Sequence, residues 1–371
     1  MNIGSCKRGY APFKRWGLRG VQLCLVFYLQ FCNINLDELA AIYQAAIDRR
    51  GQSAVTGKDS NPIEEAFVVV DGVKVHYQRA GAGRPLMLLH GLVGSAKNWR
   101  QNINFLSRDS SVYAIDLFNM GESERVPGLD AGLEATANRL ACYMDALGLG
   151  QADIAAHSHG GAVAMMFASR HPDRVRRLIL FAPANPFCDL GHQLIRFYQT
   201  RFGMWFARQI PLLPRMLKTT ALSRMYGDPS RVSAGALEGY TEGLHIPGTM
   251  DHVLQIVQRW FVDMGLLRSA LTGLAAKPIL LIWGDRDRAV GLTSGHELQR
   301  LLPQSRLMVL PGVGHIAFEE MPEICNQAMR EWLLNPLPSG MSFPANSNSD
   351  GLASPCQSGE LNVTVEARNV A

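Results

Sequence analysis

Short apolar runs bounded by glycine or polar turns recur along the middle of the chain and alternate with longer amphipathic stretches. Phe67 to Val70 and Val73 to Arg79 are β-branched runs joined by Asp71-Gly72, which predicts a hairpin. Pro85 to Leu89, Ser111 to Asp116, Ala152 to Ala156, Arg177 to Ala182, Pro278 to Trp283 and Arg306 to Leu310 predict further strands. Ser95 to Leu106, Leu129 to Leu147, Gly160 to Arg170, Thr293 to Leu302 and Glu320 to Leu334 predict helices. Apolar strands that alternate with helices argue for an α/β fold: an eight-stranded, mostly parallel sheet with helices on both faces. The alternation lapses once. From about Asn185 to Gly273 no strand pattern occurs, and the segment is rich in Phe, Met, Leu, Trp and Arg.

The two ends differ from this body. Lys7, Arg8, Lys14, Arg15 and Arg19 precede a charge-free run, Gly20 to Asn35, the pattern of a signal or anchor segment. Its strongest apolar part, Val21 to Cys32, is shorter than the ~20 residues that span a bilayer. Leu36 to Arg50 reads as an amphipathic helix and Gly51 to Pro62 as a polar linker. Residues 335–371 are rich in Pro, Ser, Asn and Gly and read as a disordered tail. The expected organisation is thus an N-terminal segment over 1–62, a core over 63–184 and 274–334, a helical insertion over 185–273, and the tail. Membrane association through residues 20–35, or otherwise a cytoplasmic location, is the expectation for localisation.

Composition narrows the chemistry. Net charge is +4 over 371 residues, too mild to argue for nucleic acid, and no basic stripe with a nucleic-acid motif appears. The seven cysteines are scattered without a C-x-x-C pair, which leans toward free thiols. No Walker loop, dinucleotide-binding glycine fingerprint or H-E-x-x-H occurs, so no cofactor and no metal is called for.

The chemistry-bearing stretch is Ala156-His157-Ser158-His159-Gly160-Gly161, set between the Ala152–Ala156 strand and a run of helix formers. A serine on a strand-to-helix turn with small residues two before and two after it is the nucleophile-elbow pattern. The turn is sharp, so flanking side chains must be tiny. Asp287 and His315 follow in later post-strand loops, in the order Ser…Asp…His. A serine needs a base within reach, and the base needs an acid to fix its tautomer. Asp285 competes with Asp287 for that last role.

These features together resemble the α/β-hydrolase fold superfamily, over about Phe67 to Leu334. The resemblance implies Ser158 as nucleophile, His315 as base and Asp287 as the acid, three residues past the strand-ending Gly284, with Asp285 bracing the loop. It implies an oxyanion hole from the backbone N–H groups of His159 and Leu92, the latter in the turn that His90-Gly91 opens. It makes His90 structural, Asp116 a loop brace, His157 and His159 packing or pocket side chains, and 185–273 a helical cap over the site. The sequence departs from the usual pattern at Ala156 and Asn119, each a glycine there, and at Val290-Gly291 where a proline is usual. Serine at the elbow argues against epoxide opening and halide displacement, which use aspartate. The resulting expectation is a serine hydrolase of esters with a hydrophobic, lipid-like acyl group, with a small hydrophobic ester and a membrane surface as partners. A carbon–carbon bond hydrolase of ring-cleavage products, a cofactor-free perhydrolase and a non-catalytic ligand binder are the alternatives.

Overall fold

The computed structural model describes residues 61–335 and 366–368. The N-terminal basic and apolar segment, the amphipathic helix, almost all of the linker and most of the tail lie outside the described residues. Among those described, no helix is long and apolar enough to cross a membrane.

Strands β1 (Glu64–Val70) and β2 (Val73–Ala80) form the expected hairpin. Asp71 and Gly72 both take positive φ, 50° and 78°, which suits the right-handed twist of paired strands. β3 (Arg84–Leu89), β4 (Ser110–Ile115), β5 (Ala152–His157), β6 (Val175–Phe181), β7 (Ile279–Gly284) and β8 (Ser305–Leu310) follow. The sheet runs β8-β7-β6-β5-β3-β4-β2-β1-β9, where β9 is the three-residue strand Glu366–Arg368. Neighbours from β8 through β4 are parallel; β2 is antiparallel to both β4 and β1, and β9 antiparallel to β1. The expected eight strands are therefore present. Three residues of the expected tail add a short edge strand.

Helices α1 (Ile103–Leu106), α2 (Leu133–Ala146) and α3 (Ser158–Arg170) belong to the first half of the core, and α9 (Leu292–Leu301), α10 (Ala317–Glu320) and α11 (Pro322–Leu334) to the second. The helix expected over Ser95 to Leu106 is broken into a 3-10 turn, Ala96–Trp99, and α1. Tertiary bonds explain the break. Ala96 N–H donates to Asp116 Oδ1 at 2.6 Å, and buried Asn102 donates to Asn326 Oδ1 at 2.7 Å and Phe318 O at 3.1 Å. Apolar residues fill both faces of the sheet. Met87, Leu89, Ile154 and Ala156 face α2 and α3; Leu86, Leu88, Ala155 and Ile179 face Trp99 and Phe318. Cys188 and Cys325 are free thiols, whereas Cys142 is disulfide-bonded, contrary to the expectation from the scattered cysteines.

Between β6 and β7 the chain forms α4 (His192–Gln199), α5 (Arg201–Ala207), α6 (Arg215–Ser223), α7 (Ala236–Thr241) and α8 (Thr249–Ala270), with no strand. This insertion, here called the cap, rests on loops at the carboxyl ends of the strands. Ser95 Oγ donates to Gly239 O at 2.8 Å, and Arg125 Nε donates to Thr249 Oγ1 at 2.9 Å.

Candidate active site

Strand order decides where the site lies. β3 sits between β4 and β5, and Leu89 pairs in register with Ala156. The turn after β3 and the turn after β5 therefore emerge side by side, the position at which parallel α/β sheets place ligands. A Cβ built on Gly91 would stand 3.2 Å from Ser158 Cβ and 2.8 Å from His157 Nδ1, so only glycine lets the two turns meet.

Ser158 is the first residue of α3 and has φ +50°. A non-glycine residue in this region costs on the order of 1–2 kcal/mol, so its surroundings must hold it there. Ala184 N–H donates to Ser158 O at 2.9 Å. A Cβ on Gly160 would lie 2.3 Å from His90 O, and one on Gly161 would lie 2.5 Å from Pro183 Cβ. Ala156, by contrast, accommodates its methyl group within the core, fully buried. The elbow pattern is thus a packing requirement, and the first glycine is the one it can do without.

His315 Nδ1 lies 2.8 Å from Asp287 Oδ2. A carboxylate only accepts, so Nδ1 carries a proton, and in the neutral imidazole Nε2 is the nitrogen with the lone pair. Asp287 Oδ1 is held by the N–H groups of Ala289 at 2.8 Å and Val290 at 2.9 Å. A proline at position 290 could not supply the second bond. Asp285 is exposed and accepts from Gly312 N–H at 2.7 Å, bracing the loop as the resemblance implied. Ser158 Oγ makes no hydrogen bond among the described residues. The Ser158–His315 link is thus open here, and such bonds commonly tighten only with substrate in place.

The contact between the elbow and the loop that carries His315 runs through His157. Its Nε2 lies 3.1 Å from His315 O, and the two rings pack at a tilt of 54° with centroids 4.6 Å apart. Burial, with neighbouring His315, pushes His157 well below the ordinary histidine range, so it is neutral and donates Nε2–H to that carbonyl. His159 and His252, the latter from α8, are also neutral: burial, with neighbouring His252, lowers His159 to about 3, and burial, with Arg139 and Arg125, lowers His252 to about 4.

The loops that carry backbone donors are braced by polar side chains. His90 Nε2 accepts from Leu117 N–H at 3.0 Å, so its Nδ1–H donates to Gly91 O at 2.7 Å. Leu92 stands next in this turn. His159 is the second residue of α3, where a helix leaves its N–H without an intrahelical partner. Asp116 accepts from Ala96 N–H, from Glu122 N–H at 2.7 Å and from His76 Nδ1 at 2.7 Å. Burial works to raise its carboxyl, but the His76 bond and the other donors hold it below the usual carboxylate range. A Cβ on Gly121 would collide with this carboxylate at 2.0–2.2 Å. Asn119, where a glycine is usual, takes φ +60°, a region asparagine tolerates. Its side chain bonds Val126 N and O and approaches His252 Nδ1 at 3.3 Å.

Glu65, His76 and Glu122 bring ligand-type atoms within 4.8 Å of one another. Burial works to lower His76, but its bond to Asp116 and the flanking carboxylates raise it above the ordinary histidine value. The residues that sequence reasoning passed over are His157 as a contact of His315, His252, and Glu320. Glu320 had looked like a helix start, since acidic residues at a helix N-terminus carry the same signal.

An α/β-hydrolase fold family profile matches residues 84–322. The chain belongs to the α/β-hydrolase fold family. It is 30% identical over 253 residues to a dihydrolipoyllysine-residue acetyltransferase component of the acetoin cleaving system of Pseudomonas putida, a match that covers 68% of this chain and 64% of that one. It is 29% identical over 256 residues to a 2-hydroxy-6-oxo-2,4-heptadienoate hydrolase of Pseudomonas putida, covering 67% of this chain and 88% of the relative. In three dimensions it resembles a membrane phospholipase A, with a TM-score of 0.60 at 22% identity over 85% of this chain and 98% of that one. At that identity the likeness speaks to the fold. The family and the relatives support a hydrolase acting on a small molecule.

Proposed function

We propose that this protein is a serine hydrolase of carboxylic esters with a hydrophobic acyl group, acting through an acyl-enzyme. The observation that carries the reading is the 2.8 Å bond from His315 to Asp287 on a loop that His157 ties directly to the Ser158 elbow. In this reading Ser158 Oγ attacks the ester carbonyl and His315 Nε2 takes its proton. The N–H groups of Leu92 and His159 receive the negative oxygen. His315 then hands the proton to the departing alcohol, and water repeats the sequence to release the acid. Asp287 holds the imidazole tautomer and stabilises the imidazolium throughout.

The side chains around the elbow support an uncharged substrate. His159 and His252 are neutral, and Arg125 is engaged by the carbonyls of Met120, Ser123, Gly121 and Gly243. The exposed face of the cap supports a lipid setting. Phe202 and Trp205 stack at 5.7 Å while 51% and 43% exposed, and Leu212 is 68% exposed. From Gly191 to Gly227 the chain has no acidic residue and carries Arg196, Arg201, Arg208, Arg215, Lys218 and Arg224, of which Arg208 and Arg215 pair with Asp251 and Glu238 of neighbouring helices. Basic and aromatic residues together suit an anionic lipid surface.

A second reading, a carbon–carbon bond hydrolase of ring-cleavage products, is favoured by the 29% identity to the 2-hydroxy-6-oxo-2,4-heptadienoate hydrolase. A panel of p-nitrophenyl esters of graded chain length, run beside a 2-hydroxy-6-oxo-dienoate, separates the two. Ester turnover that rises with acyl length and exceeds dienoate cleavage is the expected result. Efficient dienoate cleavage with weak ester turnover would replace the first reading by the second. Failure of a fluorophosphonate to label Ser158 would remove both.

A further inference from the structure

The loop that carries His315 is enclosed by backbone on two sides. A Cβ on Gly284, at the end of β7, would stand 2.1 Å from Val313 O and 2.4 Å from Gly314 O. On the other side lies the cap: a Cβ on Gly227 would stand 2.3 Å from Gly312 O. A Cβ on Gly314 would meet Met225 O at 2.3 Å and Gly227 N at 2.5 Å. No side chain fits at any of these three positions, so cap backbone lies directly on the loop. His315 N–H donates to Met225 O at 2.7 Å across this contact.

Glu320 completes the arrangement. Its side chain is fully buried. Oε2 accepts from Gly314 N–H at 2.8 Å and from Gly227 N–H at 2.9 Å, so one oxygen joins the residue before His315 to the cap. Oε1 accepts from Asp228 N–H at 2.9 Å and from Arg231 at 3.4 Å. Bonds from N–H donors to a carboxylate are stronger than neutral ones, and a glutamine here would turn an amide N–H₂ toward some of the same donors.

The preceding residue holds the cap in a different way. Glu319 accepts from Tyr240 OH at 2.9 Å, from Asn98 at 3.3 Å and from Tyr226 OH at 3.4 Å, and pairs with Arg100 at 2.6 Å. It joins cap to core, reaches residues 225–228 only through the Tyr226 hydroxyl, and has no bond to residues 312–315.

We propose that Glu320 is a positioning residue: its carboxylate locks the cap segment Met225–Asp228 and the loop Gly312–His315 into one unit, and so fixes the imidazole for proton transfer. The inference rests on His315 being the base, as proposed above. It implies that this edge of the cap does not lift independently of the base, since any displacement of residues 225–228 draws on the backbone of residues 314 and 315. Proton transfer is sensitive to such shifts, because misplacement by about 1 Å can cost on the order of 10²-fold in rate.

The test uses the full chain and four variants, Glu320→Gln, Glu320→Asp, Tyr240→Phe and His315→Ala, on a soluble short-chain p-nitrophenyl ester. Glu320→Gln is expected to lower kcat on the order of 10²-fold with KM changed by no more than about twofold. It should also shift the acid limb of the pH–rate profile and weaken the low-field proton resonance of the imidazole N–H bonded to Asp287. Glu320→Asp keeps the charge but draws the carboxylate back by one methylene from the N–H groups of Gly227 and Gly314; it should act in the same direction, and decides the matter by the same readouts if Glu320→Gln does not fold. Tyr240→Phe, which removes a cap–core bond to Glu319 outside residues 225–228, should lower Tm but keep the wild-type kcat and pH profile. A Glu320→Gln protein with wild-type kcat, profile and resonance, and only a lowered Tm, would overturn the proposal. Undiminished turnover in His315→Ala would instead overturn the base assignment, and is visible whatever Glu320 does.

Discussion

His315 Nδ1 meets Asp287 Oδ2 at 2.8 Å, while Asp285, two residues earlier in the same loop, faces the other way and binds Gly312 N–H. The two acids are thereby separable by experiment. Asp287→Asn should remove most turnover, since an amide can present its N–H₂ to Nδ1 and select the wrong tautomer; losses near 10⁴-fold are typical of that change. Asp285→Asn should retain most activity. The opposite ranking of kcat/KM would assign the acid to Asp285.

Ser158, His315 and Asp287 are expected to act as a unit. Alanine at Ser158 or His315 should each cost on the order of 10⁴-fold or more in turnover, and the double variant little beyond that. Near-additive losses in the double variant, or near-full activity in Ser158→Ala, would rule out the proposed covalent route.

The neutral histidines give stability a pH dependence of known sign. Burial lowers His159 to about 3 and His252 to about 4, against 6.5 for an ordinary histidine. As pH falls from 6.5 toward 4, the unfolded chain binds protons that the folded chain refuses, so stability falls by up to about 1.4 kcal/mol per pH unit for each group. His252→Leu removes one of these sites. Between about pH 7 and pH 4.5 it should lose roughly 1–2 kcal/mol less than the wild type in urea unfolding. An identical pH dependence in both proteins would show that His252 gains its proton in the folded state.

The stacked pair Phe202 and Trp205 is the expected point of contact with lipid. Tryptophan fluorescence should be quenched by vesicles of brominated anionic lipid, and less so in Trp205→Leu. Phe202→Glu combined with Arg201→Glu should weaken vesicle binding by about tenfold while short-ester turnover persists. Quenching that is the same with and without Trp205 would exclude this face of the cap from the membrane.

The Asp116 carboxylate offers a check on the loop braces. Four elements of the site lean on it: Ala96, Glu122, His76 and the closely packed Gly121. Asp116→Asn keeps the shape but loses charge-assisted acceptors, and should cost about 1.5–3 kcal/mol of stability. A change within about 0.5 kcal/mol would mean that the donors find other partners.

Much of this protein follows from local sequence pattern. The spacing of apolar runs marks the strands, most plainly β4 to β7, because these are short segments buried on both faces. Asp71-Gly72 marks the hairpin, because two consecutive positive φ values favour such residues. The elbow is legible because the residues whose size is limited, Gly160 and Gly161, stand next to Ser158 in the chain, although the atoms that limit them, His90 O and Pro183 Cβ, come from other segments. Tertiary structure alone decided the rest. The break after Trp99, the contact of His157 with His315, and the bridge from Glu320 to Gly227 and Gly314 all join residues that only the packed fold brings together. A buried acceptor and a solvated helix-start glutamate look the same in a sequence. They differ only when the backbone N–H groups of two distant segments converge on one carboxylate with no water between them.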